Sequence, residues 1–305
     1  SSGSVKTLLI LEGNPVLTAP VELNVANLIA GVPETLHLSQ FADETSKVTH
    51  WQVPAAHYLE RWGDARSIDG TVSSVQPMIL PLWNGVSSLE ILASLAGEKV
   101  DGPSVVRNTF AAVSKASTDT AWNEFLRNGF ADGTAWPVSK PSLNPSAAAA
   151  AIQSTPKTDP KDFEVVFLRS SSVDDGRYAN NSWLQETPDY VTKLVWDNAA
   201  LVSPADAQML GIKDGDWVKL ASRSGETTLH AQITDRVLPG VVYTTFHHPD
   251  TQANVITTDY SDWATNCPEY KVTAVQVGSS NGPTEWQQEY TAQATLSRRI
   301  LPAAE

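Results

Sequence analysis

The hydrophobic period changes once along this chain, near residue 138, and that change limits it to two differently built parts. Before it, long apolar runs alternate with helical spacing. "VKTLLILEGNP" is a largely apolar run from Val5 to Leu11, closed by Gly-Asn-Pro. A buried parallel strand ending in a tight turn has this form. "VELNVANLIAG" follows with apolar residues at helical spacing and Gly31 placed as a C-terminal cap. "ETLHLSQF" then reads as a second strand. Strand, helix and strand within about 40 residues make a βαβ unit with a right-handed crossover. Helical patterns recur at "SSLEILASLAGE", "PSVVRNTFAAVSKAS" and "TAWNEFLRNGF". The expectation is an α/β layer domain over residues 1–140.

"VSKPSLNPSAAAAAIQSTPKTDP", residues 138–160, is rich in Pro, Ser and Ala. Its flanking prolines favour a surface connector over a helix, with the linker proper at 141–160. Beyond it the strands shorten: "DFEVVFLRSSS", "DGDWVKLASRSG", "TTLHAQITDRV" and "GVVYTTFHHP" are separated by Asp-Gly, Ser-Gly and Pro-Gly turns. "SPADAQMLGIKDGD" holds a short helix, with Ser203 as N-cap, Pro204 at its first position and Gly211 at its end. Short strands with one small helix predict a compact β-barrel over 161–278. A helical tail capped by Thr284 follows over 279–305.

Composition narrows the partners. With 41% hydrophobic and 18% charged residues the chain is an ordinary globular one, and a net charge of −13 repels nucleic acid and anionic membranes. No run approaches the ~18 apolar residues of a membrane span. The start, "SSGSVK", reads as a linker remnant or cut site, so a longer parent protein is expected. The single cysteine, Cys267, excludes an internal disulfide, a four-cysteine zinc site and a cysteine-held iron–sulfur cluster within these 305 residues. It has no evident base or co-ligand, so a small buried group beside Pro268 is the expected role.

No phosphate loop, nucleophile elbow or metal-ligand spacing is present, and acidic pairs such as Asp174–Asp175 read as turn chemistry. Two polar clusters remain. "LRSSSVDDGRYANNSW" combines Arg169, Ser170, Ser171, Arg177, Asn180 and Asn181 in a loop after a strand. Arginine forks suit phosphate and amides suit a base edge, although a plain polar surface loop has the same composition. "TTFHHPDTQANVITTDYSDWATNCPEYK" is long, irregular and mixed aromatic–polar, which favours function over an idle loop.

"YTTFHHPDTQANVITTDYSDWATNCPEYKVTAVQV", with "LGIKDGDWVKLASRSGE" before it and "GPTEWQQEY" through "RRI" after it, closely resembles the C-terminal barrel of molybdenum-dependent formate dehydrogenase large subunits. The N-terminal half resembles the α/β domain of the same molybdopterin oxidoreductase superfamily, of dimethyl sulfoxide reductase type. "EGNPVLTAP", "DETS" and "QVPAAHYLE" stand where that family has its Gly-Asn-Pro, Thr-Glu-Thr and Leu-Pro-Ala-Ala runs. In detail, residues 1–204 resemble the molybdopterin-like iron–sulfur subunit of alternative complex III, and residues 205–305 resemble formate dehydrogenase. The resemblance implies a Rossmann-like α/β domain followed by a double-psi β-barrel that binds molybdopterin guanine dinucleotide.

It further implies cofactor contacts at Arg169, Ser170, Ser171, Arg177, Asn180 and Asn181, at His247 and His248, at Asn266, Tyr270 and Lys271, and at Asn14. Leu38 and Ser39 stand where dinucleotide-binding members carry Gln-Asp, so an acidic partner for guanine or ribose is lost. The implied partners are the remaining domains or subunits of a larger redox complex, with iron–sulfur proteins among them. The compartment would be cytoplasmic for a formate dehydrogenase and periplasmic, at the membrane, for alternative complex III. The metal-ligand and iron–sulfur domains of the family have no counterpart here, so the chain alone is expected not to oxidise formate. The contrasting expectation is a cofactor-free structural module of a quinol-oxidising complex.

Overall fold

A computed structural model describes residues 3–98, 100–154, 162–246, 252–257, 272–285 and 287–288. Contacts divide the chain into two units, one of residues 1–13 and 28–155 and one of residues 14–27 and 156–305.

In the first unit the opening strand β1 (Thr7–Leu11) pairs in parallel with β2 (Glu34–Ser39), and β2 with β3 (Trp51–Pro54). The helix expected between β1 and β2 is broken into pieces: α1 (Pro15–Thr18), a 3-10 turn at Val21–Leu23, and α2 (Val25–Ala30). The break falls at Asn24, whose φ of 48° is left-handed. A separate antiparallel sheet of β4 (Gly63–Arg66), β5 (Val72–Val75) and β6 (Phe130–Ala131) went unread in the sequence.

The three helices expected next all form, as α3 (Ser88–Leu95), α4 (Gly102–Ser114) and α5 (Asp119–Asn128). Local chemistry explains their ends. The Ser87 and Glu90 side chains cap each other's backbone at α3, while Thr118 opens α5 and Gly129, at φ 81°, closes it. Val106 and Phe110, four residues apart on α4, meet Trp122 and Phe125, three apart on α5, in a core completed by Val72 and Ala131. The Phe110 and Phe125 rings stack at 4.6 Å. The alanine run is a helix, α6 (Pro145–Ser154), rather than an irregular connector. The Asn144 side chain accepts from the Ala147 N–H, and alanine's high propensity carries the turn onward despite Pro145 at the start, a position proline tolerates.

The second unit is a closed six-strand barrel. Its strands are β7 (Phe163–Leu168), β8 (Ala199–Val202), β9 (Trp217–Ala221), β10 (Glu226–Ile233), β11 (Val241–Thr245) and β12 (Val272–Ser279), arranged β10-β8-β11-β7-β12-β9. Helices α7 (Ser182–Glu186) and α8 (Pro204–Leu210) lie between its strands in sequence. Burial alternates along β7, β9 and β11, so every second side chain points inward. Val165, Val218, Leu220, Leu229 and Val242 are wholly buried there. Each stabilises the barrel by about 1.5–3 kcal/mol relative to exposure. Pairing is mixed: β7–β11 and β8–β10 are parallel, the other junctions antiparallel. Ser203, Pro204 and Gly211 occupy the expected cap, first and closing positions of α8.

Residues 14–27, within the stretch read as an α/β layer, pack with the barrel instead. The buried Asn254 carboxamide donates to the carbonyls of Leu17 (2.8 Å) and Ala19 (2.5 Å). Glu22 accepts from Ser224 Oγ and pairs with Arg223 at 3.0 Å. Among the described residues no helix is long and apolar enough to cross a membrane.

Candidate functional site

The register of the barrel brings three sequence segments to one end. Strands β7 and β11 run in parallel and finish together, with Leu168 opposite Thr245. Strand β12 starts at the same end, Val272 lying opposite Val166. The polar loop after β7 therefore begins at the barrel end where β11 finishes and β12 starts. His247, His248, Asn266, Tyr270 and Lys271, together with Cys267 and Pro268, lie outside the described residues.

The loop from Arg169 is held by its own charges. Arg169 Nε donates to Asp174 Oδ1 at 2.5 Å, and Arg177 grips Asp175 with Nε at 2.9 Å and Nη2 at 2.7 Å. Arg177 Nε also lies 3.1 Å from Asp174 Oδ2. The Asp175 hydrogen bonds push the Arg177 guanidinium above its ordinary pKa, so it stays charged at every working pH. Asp174 adopts a left-handed φ of 58°, consistent with the turn role read for the Asp pair. Two arginines against two aspartates leave the loop with no net charge. Both guanidinium groups still face solvent, at 67% and 55% exposure, and each has five N–H donors of which the carboxylates occupy some.

The other loop residues are placed differently. Ser170 Oγ accepts from the N–H groups of Val173 (3.1 Å) and Ser172 (3.3 Å), which shapes the turn. Ser171 Oγ donates to Asp189 Oδ2 at 2.7 Å. Asn180 is exposed, whereas Asn181 caps α7 by accepting from Leu184 N–H. Asn14 precedes α1, its carbonyl accepting from Leu17 and Thr18 N–H. It is grouped with the barrel unit. In the first unit, Leu38 is fully buried in the core and Ser39 donates to Asp43 Oδ2 at 3.1 Å. Asp43 is itself used by its own loop, accepting from the Ser46 N–H and hydroxyl.

Two features went unread in the sequence. Asp189 gathers the Thr192 and Val191 N–H groups and the Ser171 hydroxyl, which together outweigh partial burial and hold its carboxyl below the usual range. Beside this turn, a groove of about 430 Å³ runs over the outer barrel face, with Leu168, Leu201, Tyr243, Gln232 and Arg236 among its walls. The second feature is Asn198, 4% exposed, at the entry to β8. Its Nδ2 donates to Thr245 O (3.0 Å), and its Oδ1 accepts from Thr245 Oγ1 (2.8 Å) and Thr245 N–H (3.3 Å). An Asp-Asn pair ahead of "AALV" was the available signal. Among the described residues no group of His, Cys, Asp and Glu could hold a metal ion.

Residues 175–274 match the family described as the molydopterin dinucleotide binding domain. Among curated proteins, the chain is similar to F420-dependent formate dehydrogenase subunit alpha of Methanocaldococcus jannaschii, 26% identical over 91% of this chain and 44% of the relative. It is 23% identical to F420-dependent formate dehydrogenase 1 subunit alpha of Methanococcus maripaludis over 90% of this chain and 43% of that protein. NADPH-Fe(3+) oxidoreductase subunit alpha of Geobacter sulfurreducens is 24% identical over 83% of the chain and 28% of its own length. The fold matches acetylene hydratase from Pelobacter acetylenicus with a TM-score of 0.64 and 13% identity, over 90% of this chain and 44% of that one. The chain spans less than half the length of these relatives. Residues 175–274, within the barrel unit, thus match a molybdopterin dinucleotide-binding domain, and over most of its length the chain is similar to part of the alpha subunits of formate dehydrogenases and of an NADPH-Fe(3+) oxidoreductase.

Proposed function

We propose that the barrel end at Arg169 and Thr245 binds molybdopterin guanine dinucleotide as part of a formate dehydrogenase-like oxidoreductase. The observation that carries this is the family match over residues 175–274, which begins inside the arginine loop and ends in β12, at the end where β7 and β11 finish. The mixed pairing, with β7–β11 and β8–β10 parallel in an otherwise antiparallel closed barrel, supports the double-psi form. The donor set fits an anionic dinucleotide: Arg169 and Arg177 are exposed, permanently charged and held at fixed positions by Asp174 and Asp175. Holding them in advance lowers the entropy lost when a phosphate is gripped. When bound, the group supplies redox chemistry at its metal, while this chain's residues hold and orient the dinucleotide. His247, His248, Asn266, Tyr270 and Lys271 are assigned to the same role. The iron–sulfur partners and the formate-oxidising residues belong to other parts of the complex, and the chain alone does not oxidise formate.

A second reading, the cofactor-free module of a quinol-oxidising complex, is favoured by two observations. Asp174 and Asp175 already neutralise both loop arginines, and the first unit offers buried Leu38 and Ser39 where an acid is wanted. Expression in a host that makes the cofactor, followed by assay of bound molybdenum and released guanine nucleotide, separates the two. Nucleotide in the purified chain is the result the first reading requires. Its absence, with no stabilisation by added dinucleotide, leaves the second.

A further inference from the structure

We propose that Asn198 is a positioning residue that sets where β11 leaves the barrel, and through that exit orients the cofactor-binding end. The inference rests on the dinucleotide reading above. Strands β8 and β11 share a single register pair among the described residues, Leu201 with Tyr243. A normal ladder would continue toward Thr245. The Asn198 side chain substitutes for the missing rung by offering both a donor and an acceptor: Nδ2–H to Thr245 O, and Oδ1 to the Thr245 N–H and hydroxyl. Oδ1 also accepts from Ala199 N–H at 3.0 Å. Asn198 is itself buried and Thr245 half-buried, so leaving these hydrogen bonds unmade is costly.

What Thr245 fixes passes directly to the loop. The next residue, Phe246, donates its N–H to Leu168 O at 2.9 Å, and its ring stacks on Phe167 at 5.2 Å with only 8° between planes. Leu168 is the last residue of β7, and Arg169 follows it. One carboxamide therefore links the entry of β8, the exit of β11 and the start of the arginine loop. Aspartate at this position keeps the acceptor and loses the donor to Thr245 O, so it restores only part of the geometry. The far end of the same strand pair supplies a control. Asp206, 6% exposed on α8, accepts from Gly240 N–H at 2.8 Å just before β11 begins, and is remote in register from Thr245.

The test uses the full chain from a cofactor-making host, as wild type, Asn198→Ala, Asn198→Asp and Asp206→Ala. Guanine nucleotide released per chain, melting temperature and amide exchange at Thr245 and Phe246 are measured together. In both Asn198 variants we expect bound nucleotide to fall about tenfold or more and exchange at Thr245 and Phe246 to speed by a similar factor, the Asp variant less than the Ala. Asp206→Ala should melt at least as early yet keep its nucleotide and its exchange rates at those two amides. Wild-type nucleotide content in Asn198→Ala, or equal loss in Asp206→Ala at matched melting temperature, overturns the proposal. If wild type itself carries no nucleotide, the dinucleotide reading and the orienting role both fail. Amide exchange then still decides whether Asn198 fixes the β11 exit, and unchanged rates in Asn198→Ala overturn that as well.

Discussion

At one end of the barrel the Asn198 carboxamide joins the start of β8 to the end of β11. At the other, the Asp206 carboxylate joins the helix after β8 to the turn before β11. Both side chains are buried, and both compensate for a strand pair with little ladder of its own. They differ in what surrounds them. Asp206 lies in a closed local motif: Ser203 Oγ donates to it at 2.7 Å and caps α8, and Gly211 ends that helix one turn on. Asn198 holds Thr245 at the end of β11, beside the start of the Arg169 loop. A buried polar latch inside a local motif stabilises that motif; the Asn198 latch also fixes the last residue of β11, whose neighbour Phe246 bonds to Leu168 ahead of the Arg169 loop.

Several substitutions would break or sharpen this contrast. Leu229→Ala, wholly buried in the barrel core, should cost about 2–5 kcal/mol and weaken both ends together, as read by denaturant unfolding of the full chain. A loss confined to one end would mean that the barrel is not one cooperative unit. Asp206→Ala strands the Gly240 N–H and the Ser203 hydroxyl and should cost about 1–3 kcal/mol without affecting nucleotide retention. Ser203→Ala removes only the cap, at about 0.5–2 kcal/mol, and should be the milder of the two. Arg169→Leu with Arg177→Leu should move the melting temperature least, because exposed ion pairs are worth about 0–1 kcal/mol, while lowering dinucleotide affinity by about tenfold.

Acid supplies the finest probe of the site end. Asp189 titrates below its ordinary range in the folded chain, so its contribution is present above the unfolded value of about 4 and fades as pH falls through the lower folded one. Amide exchange at Val191 and Thr192, corrected for its intrinsic pH dependence, should accelerate in that acid window and not at neutral pH. Asp189→Asn should abolish the pH dependence. Acceleration at neutral pH instead would show that the turn is not held by the carboxylate.

Much of the barrel was legible because its signals are local. The Ser203-Pro204 start, the Gly211 stop and the turn-bounded runs of β7, β9, β10 and β11 are each readable within a few residues. Strand β8 was not, since "AALV" is too short to show a period and its partners, β10 and β11, lie far along the chain. The alanine run misled for the opposite reason: flanking prolines pointed to a connector, while proline at a first helical position is compatible with α6. Residues 14–27 show helical spacing, but nothing local says that Leu17 and Ala19 will meet Asn254. At the site, composition pointed to Arg169 and Arg177 without revealing that Asp174 and Asp175 hold them. Asn198 acts across 47 residues, a distance no sequence pattern reports.

The most direct measurement is the guanine nucleotide content of the 305-residue chain purified from a cofactor-making host, beside its Arg169→Leu, Arg177→Leu variant. The account predicts nucleotide in proportion to wild-type protein and little in the variant, at nearly equal melting temperatures. Wild-type protein that carries no nucleotide, and whose melting temperature does not rise with added dinucleotide, would contradict it.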